Sequence, residues 1–494
     1  IQQQVVALDG IEVSQAVQDL DHSVPLVAGK ATIVRAYLTY PQTVTVRGEL
    51  QLARNPQGPW QAVPSLGAAQ LDPFRAGSSL GQLSSRRADL AFSLNFRLPS
   101  ELTAGGDLWI RMGPIQRDAG TQLPSLAGLT TRMVTFRRAA PLRIRLLRVS
   151  YRMGSPPRTH EPSGTDVSLI RSWLRRAYPV ADLELTTTAV NAARPAPFEA
   201  AQVNAQLLAL RAVDVATGTD DRTHYYGMVA NSGFFMRGLA SGIPQTPRPG
   251  TVASGPTGPD PFGWDFDGSF GDWYGAHELG HTFGRFHAEF CGAGGGAPYP
   301  FPNGQLSGPD GRFVGLDVGD PSLGLPMRVL RGTVGHDVMT YCDDQWLSSF
   351  TYRGVFEMLG AEDALPAGRA FNAPVAFLEG RPEEEASNMR LIAALNLTRT
   401  TGSITAVLPM AQSVVDRVAE EEAGPQPSKI TVRIRDAAGN TLDERGATFL
   451  PSVCEDPDED ATAGVVDMDV PTPAGSAIIE LVVDGQVVDS QPVG

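Results

Sequence analysis

Apolar and polar positions alternate with period two near both ends of the 494-residue chain, and mix periods in the middle. Residues 31–38 and 44–50 are short runs rich in β-branched side chains, and 88–96 alternates as a half-buried strand does. Breaks such as Pro56-Gln57-Gly58-Pro59 separate them. Residues 1–140 therefore read as all-β, most economically as an immunoglobulin-like sandwich. The same texture returns past 372 in 391–395, 429–434 and 478–483, and Asp484-Gly485 marks a tight hairpin. A second, acidic β-sandwich is expected over 372–494. Between them, 141–149 alternates as a first strand, and Thr165 or Asp166 is placed to cap a helix through 169–174. Residues 203–210 have helical spacing, and 225–230 reads as a strand, expected at the sheet edge where an extended substrate would lie. A further helix over about 272–284 and a closing helix over 349–359 flank a Gly/Pro-rich insertion from Gly292 to about Leu330. The fold class is thus multidomain α+β, with a central unit at 141–371.

That central unit carries His277-Glu278-Leu279-Gly280-His281-Thr282-Phe283-Gly284-Arg285-Phe286-His287. Two histidines four apart on a helix project from one face towards a common point, where they can share a metal ion. Glu278 reaches a water there without occupying a ligand position. Gly284 tolerates the backbone angles of a sharp exit, which brings His287 round as a third ligand. Three neutral imidazoles suit Zn2+ and leave its fourth position for water. The chain has only seven histidines, so three in this register with the Glu and Gly are hard to ascribe to chance.

Downstream stands Asp337-Val338-Met339-Thr340-Tyr341. With both segments in place the chain resembles the metzincin clan of zinc endopeptidases, which pair the extended zinc helix with a Met-turn. The residue after the third His is Ala288, where astacins have Glu, serralysins Pro, and adamalysins and matrixins Asp or Ser. The resemblance spans roughly residues 270–360 and reaches the clan, with no subfamily assigned. It implies a catalytic domain on a twisted, mostly parallel sheet with helices. Met339 is then the floor beneath the imidazoles. Tyr341 is either a fifth ligand at rest and an oxyanion donor in the reaction, or a packed aromatic. In such a domain the stretches after His287 and around Tyr341 converge, so Cys291 and Cys342 are either a disulfide, the favoured pairing, or two separate thiols. The implied activity is hydrolysis of peptide bonds in protein or peptide substrates, glycoproteins among them, with Glu278 as general base. The alternative is a surface- or glycan-binding protein whose proteolysis is restricted or lost. His336 is a candidate pocket wall. The pocket itself is expected between about 340 and 352, where Trp346 and Phe350 either close it or pack in the core. The insertion after Cys291 is expected to form an ordered rim, so that deleting 293–303 alters cleavage preference and leaves zinc in place.

Composition narrows the surroundings. The hydrophobic fraction is 42% and the charged fraction 19%, within the range of folded globular chains. No apolar run approaches the length of a transmembrane segment. Net charge is −14, and residues 379–494 hold 21 acidic and 8 basic side chains, leaving 33 and 32 for the rest. Neither part offers the basic surface of a nucleic-acid binder. The chain begins at Ile1, and a secreted protein whose export signal has been removed is expected. Cys454 is the unpaired third cysteine. Ca2+ is a second candidate ion, at Asp265, Asp267 and Asp272 or at the acidic run 455–460; helix capping and solvated loops are the competing roles.

Overall fold

The computed structural model describes residues 5–118, 120–124, 131–259, 261–265, 267–294, 296–366, 387–410, 429–454 and 462–493. The acidic runs 383–385, 420–422 and 455–460, and the expected boundary at 371/372, lie outside these residues.

Two sheets pack face to face at the N-terminal end. One joins Ala7–Ser14, Ile33–Thr39 and Leu94–Arg97; the other is six-stranded and is centred on Val44–Ala53 and Gly106–Arg117. Alternation along Val44–Ala53 places Val46, Leu50 and Leu52 inside, against Val34, Ala36 and Phe96 of the facing sheet. The strand expected at 88–96 begins only at Leu94. Before it runs helix α1 (Leu80–Arg87), closed at its start by a Ser79/Gln82 capping box. The Asp89 side chain then accepts from Ala91 N and winds Leu90–Phe92 into a 3-10 turn. Local side-chain hydrogen bonding therefore overrides the alternation here.

The middle sheet is mixed, with a parallel centre and antiparallel flanks, where a mostly parallel sheet was expected. Leu183–Asn191, Leu142–Met153, His224–Ala230 and Ala253–Thr257 run side by side and parallel. Arg158–His160, Leu239–Ala240 and Val453–Cys454 extend the sheet antiparallel. His224–Ala230 is therefore an interior strand, paired on both sides and buried along nearly its whole length, not the edge. Its apolar run without alternation is the signature of a strand covered on both faces. The lip of the sheet is Leu239–Ala240, and Val453–Cys454 from the C-terminal part pairs with its outer side.

Helix α2 (Gly164–Ala177) is capped by Ser163, two residues before Thr165 and three before Asp166. Ser163 accepts from Asp166 N at 3.2 Å while the Asp166 carboxylate accepts from Ser163 N at 2.6 Å. Asp166 thus holds the third helical position of a capping box, not the cap. Helix α4 (Gly271–Thr282) packs on α2 and on the Ala253–Thr257 strand, with every residue buried. Helix α5 (Ser349–Asp363) closes the unit. The core around these helices also takes in Ala16, Val17 and Val24 from the N-terminal segment, and Trp346 Nε1 donates to Ala16 O at 2.9 Å.

At the C-terminal end two four-stranded sheets pack around Leu391, Ile434, Val466 and Leu481. The Asp484-Gly485 turn has φ of 49° and 84° and joins Ser476–Val483 to Gln486–Pro492, as the tight-hairpin signal requires. Ile392, Ala394 and Val465 share a core with Val203 and Leu207 of α3 (Ala200–Ala216), which fixes this pair of sheets to the back of the middle unit.

Candidate metal centre

Helix α4 presents His277 and His281 on one face, one turn apart. The chain leaves the helix at Gly284, whose φ is 75°. Gly284 N bonds to His281 O at 2.8 Å and Arg285 N to Gly280 O at 3.0 Å, closing the helix end. A Cβ at Gly284 would lie 2.3 Å from Pro244 O, so both the angle and the space demand glycine.

The exit delivers His287. Its Nε2 lies 3.1 Å from His281 Nε2, which is 3.2 Å from His277 Nε2. Nitrogens bonded at about 2.0–2.1 Å to one tetrahedral ion stand about 3.3 Å apart, so the three histidines fit a single small ion. Each Nδ1 meets a backbone carbonyl: His277 to Val338 O at 2.6 Å, His281 to Arg285 O at 2.7 Å, His287 to Gly294 O at 3.0 Å. Donation from Nδ1–H to those carbonyls fixes the tautomer and turns each Nε2 lone pair towards the common point. Burial, helped by mutual repulsion, lowers the pKa of His277 to about 3 and that of His281 well below the ordinary value; burial alone lowers that of His287 to about 4. The imidazoles are therefore neutral at physiological pH, as metal ligands must be. His277, His281 and His287 can hold a metal ion.

Met339 lies beneath them, 1% exposed. Its segment is tied down by Asp337, which accepts from Met339 N and from Ser348 N at 2.9 Å each. Ala288 N bonds to Met339 O at 2.9 Å, stitching the chain just after the third histidine to the same turn. Tyr341 brings its hydroxyl to 3.2 Å from His287 Nε2, so the phenol points at the same centre. Glu278 is 1% exposed and faces the sheet lip at Gly238, where a Cβ would come within 2.0 Å of Oε1.

The Cys291–Cys342 disulfide forms, with Cα atoms 5.3 Å apart, and links the segment after His287 to the residue after Tyr341. It closes a separation of 51 residues, which stabilises by about 3–4 kcal/mol in the chain-entropy account. The intervening insertion is anchored by Tyr299, whose hydroxyl donates to Gln305 O at 2.8 Å and whose ring meets Phe301 and Phe350 edge-on. It also contains strand Val314–Asp317, which pairs with Val17–Gln18 of the N-terminal segment. Because Gly294 O holds His287, deletion of 293–303 would strip the third ligand of its support.

A cavity of about 310 Å³ opens beside His277. One wall is Thr340 to Asp343 with Gln345, inside the stretch expected to line it; the other is Phe262, Trp264 and Trp273. Trp346 and Phe350 are not on the lining: the first is wholly buried in the core, and the second packs on Tyr299. His336 is not a wall either, since its ring stacks on Phe290 and Nδ1 meets Asp343 O at 3.0 Å.

Sequence reasoning missed Gly238, Asp337 and His224. His224 lies behind α4, bonded to Glu362 at 2.9 Å and to Thr282 at 3.2 Å, and so pins the C-terminal turn of that helix to α5. Asp337 belongs to the same short Met-containing segment as Met339 and Tyr341. Gly238 and His224 are brought in only by the fold, and no local pattern marks them.

No family model matches the chain, and no curated protein matches it.

Proposed function

We propose that the chain is a secreted, zinc-dependent endopeptidase of the metzincin type, acting on extracellular proteins. The observation that carries this reading is the convergence of three neutral Nε2 atoms with the Tyr341 hydroxyl beside one open cavity, on a helix that also carries Glu278 next to the first of these histidines. The donor set, all imidazole, favours zinc over hard cations. A bound zinc ion would act as a Lewis acid towards water and the scissile carbonyl. Glu278 takes the proton of the attacking water and passes it to the leaving nitrogen. Tyr341 donates a hydrogen bond to the developing oxyanion. The Nδ1 bonds to Val338, Arg285 and Gly294 hold the imidazoles in place without reorganisation. The cavity between Tyr341 and Trp264 would receive a side chain of the peptide. The disulfide supports an oxidising compartment. No helix among the described residues is long and apolar enough to cross a membrane.

The test is metal analysis of the purified protein together with chelator-sensitive cleavage of casein or gelatin. One zinc per chain with cleavage that returns on zinc addition is expected. Zinc without cleavage of any protein would favour the binding-protein alternative.

A further inference from the structure

Asp272 sits in the first turn of α4, wholly buried. Its Oδ1 accepts from Trp273 N at 2.6 Å, whereas Oδ2 has no hydrogen-bond partner among the described residues. An orphaned carboxylate oxygen in such a place is costly. Nearby Asp166 shows how the same region satisfies a carboxylate by protein alone. Its two oxygens accept from Ser163, Thr257 and Ser269 at 2.5–2.7 Å. Asp272 instead faces two further carboxylates: ligand oxygens of Asp265, Asp267 and Asp272 all lie within 4.8 Å of one another. Burial and the charges of Asp267 and Asp265 disfavour its ionised form, and the guanidinium of Arg176 that opposes them is ion-paired to Asp317. The positive end of α4 offsets part of this, but only about half a charge against three carboxylates.

We propose that Asp265, Asp267 and Asp272 form a Ca2+ site that ties the loop before α4 to the first turn of that helix. Two oxygens on one Ca2+, each bonded at about 2.3–2.6 Å, can stand as far apart as about 5 Å, whereas Mg2+ at about 2.0–2.1 Å needs a tighter cluster. Asp267 Oδ1 also accepts from Ser269 N at 3.2 Å, which aims its carboxylate from the loop. The same loop supplies Phe262 and Trp264, and Trp264 packs on Trp273 with ring centroids 5.0 Å apart. The ion therefore fixes one wall of the cavity beside His277, five residues along α4 from Asp272. The proposal does not depend on the peptidase reading.

The probe is Tb3+ bound to the full-length protein and excited through Trp264 and Trp273, then displaced by Ca2+. Saturable displacement is expected with a Kd between about 10⁻⁶ and 10⁻³ M, with Mg2+ much weaker. Asp265→Asn with Asp267→Asn, on a half-exposed loop, should weaken Ca2+ binding by about 100-fold or more and abolish the Ca2+-dependent rise in Tm. Asp272→Asn, which keeps the side-chain volume, should weaken it likewise. Unchanged Tb3+ and Ca2+ titrations in these variants would overturn the site, and equal displacement by Mg2+ would overturn its assignment to calcium. None of these readings requires turnover, so they stand apart from any failure of proteolysis.

Discussion

Gly280 lies directly over Met339: a Cβ placed on Gly280 would be 2.5 Å from Met339 Sδ. The absence of a side chain at this position of α4 is what lets the methionine rise against the helix beneath the histidines. Gly280→Ala gains helix propensity, yet it must push a buried sulfur out of a packed core, at a cost of about 1–3 kcal/mol. The expected result is a lowered Tm and weaker zinc retention during dialysis against a chelator. Wild-type zinc retention would show that the contact between helix and methionine is not what seats the site.

Gly238 keeps the chain beside it clear of the Glu278 carboxylate, the proposed general base. Its N–H donates to Tyr274 Oη at 2.9 Å, and a Cβ there would overlap Glu278 Oε1. Gly238→Ala should lower kcat by at least about tenfold through displacement of the carboxylate while leaving zinc stoichiometry at one. A matched loss of zinc would place the damage in folding of the site.

Removing the support of the third ligand is a separate experiment. A protein lacking 293–303 loses the Gly294 carbonyl that holds His287 Nδ1, and zinc affinity should fall by about 10- to 100-fold. Isothermal competition with a zinc indicator reads this directly. Unaltered affinity would mean that packing against Tyr341 alone orients the ring.

Acid sensitivity has a source in the N-terminal part. His22 accepts a hydrogen bond from Val13 N through Nε2 at 2.8 Å, and burial, with Arg132 adding to it, lowers its pKa to about 4. The folded value lies below the unfolded value of about 6.5, so the unfolded chain binds the proton first. Stability from this group is complete above about pH 6.5 and falls as pH drops towards about 4, by about 1.4 kcal/mol per pH unit. His22→Gln keeps an acceptor and cannot titrate, so the slope of unfolding free energy between pH 6 and 4.5 should drop by about one proton. An unchanged slope would assign the acid limb to other groups.

The sequence exposed the candidate site more fully than the frame around it. The register of His277, His281 and His287 is local, and a helix followed by a glycine exit suffices to bring them together. Met339 and Tyr341 were legible because a short segment carries them both. What lay hidden depends on tertiary pairing. The unbroken apolar run of His224–Ala230 signals cover on both faces, but does not say which strands flank it. The sheet lip at Leu239–Ala240 is two residues long, too short for any periodicity. Its pairing with Val453–Cys454 joins positions more than 200 apart in sequence, which no local pattern announces. At 88–96 the alternation was real, but Asp89 captured its first residues into a turn.

The proposed reaction requires Glu278 to act on water beside a metal held by three histidines. Glu278→Gln keeps the size of the side chain and removes its basicity. Zinc content and cleavage of a protein substrate, measured on the same preparation, test the claim together. One zinc per chain is expected, with turnover reduced by about 10²–10⁴-fold or more. A variant that retains zinc and cleaves at the wild-type rate would contradict it.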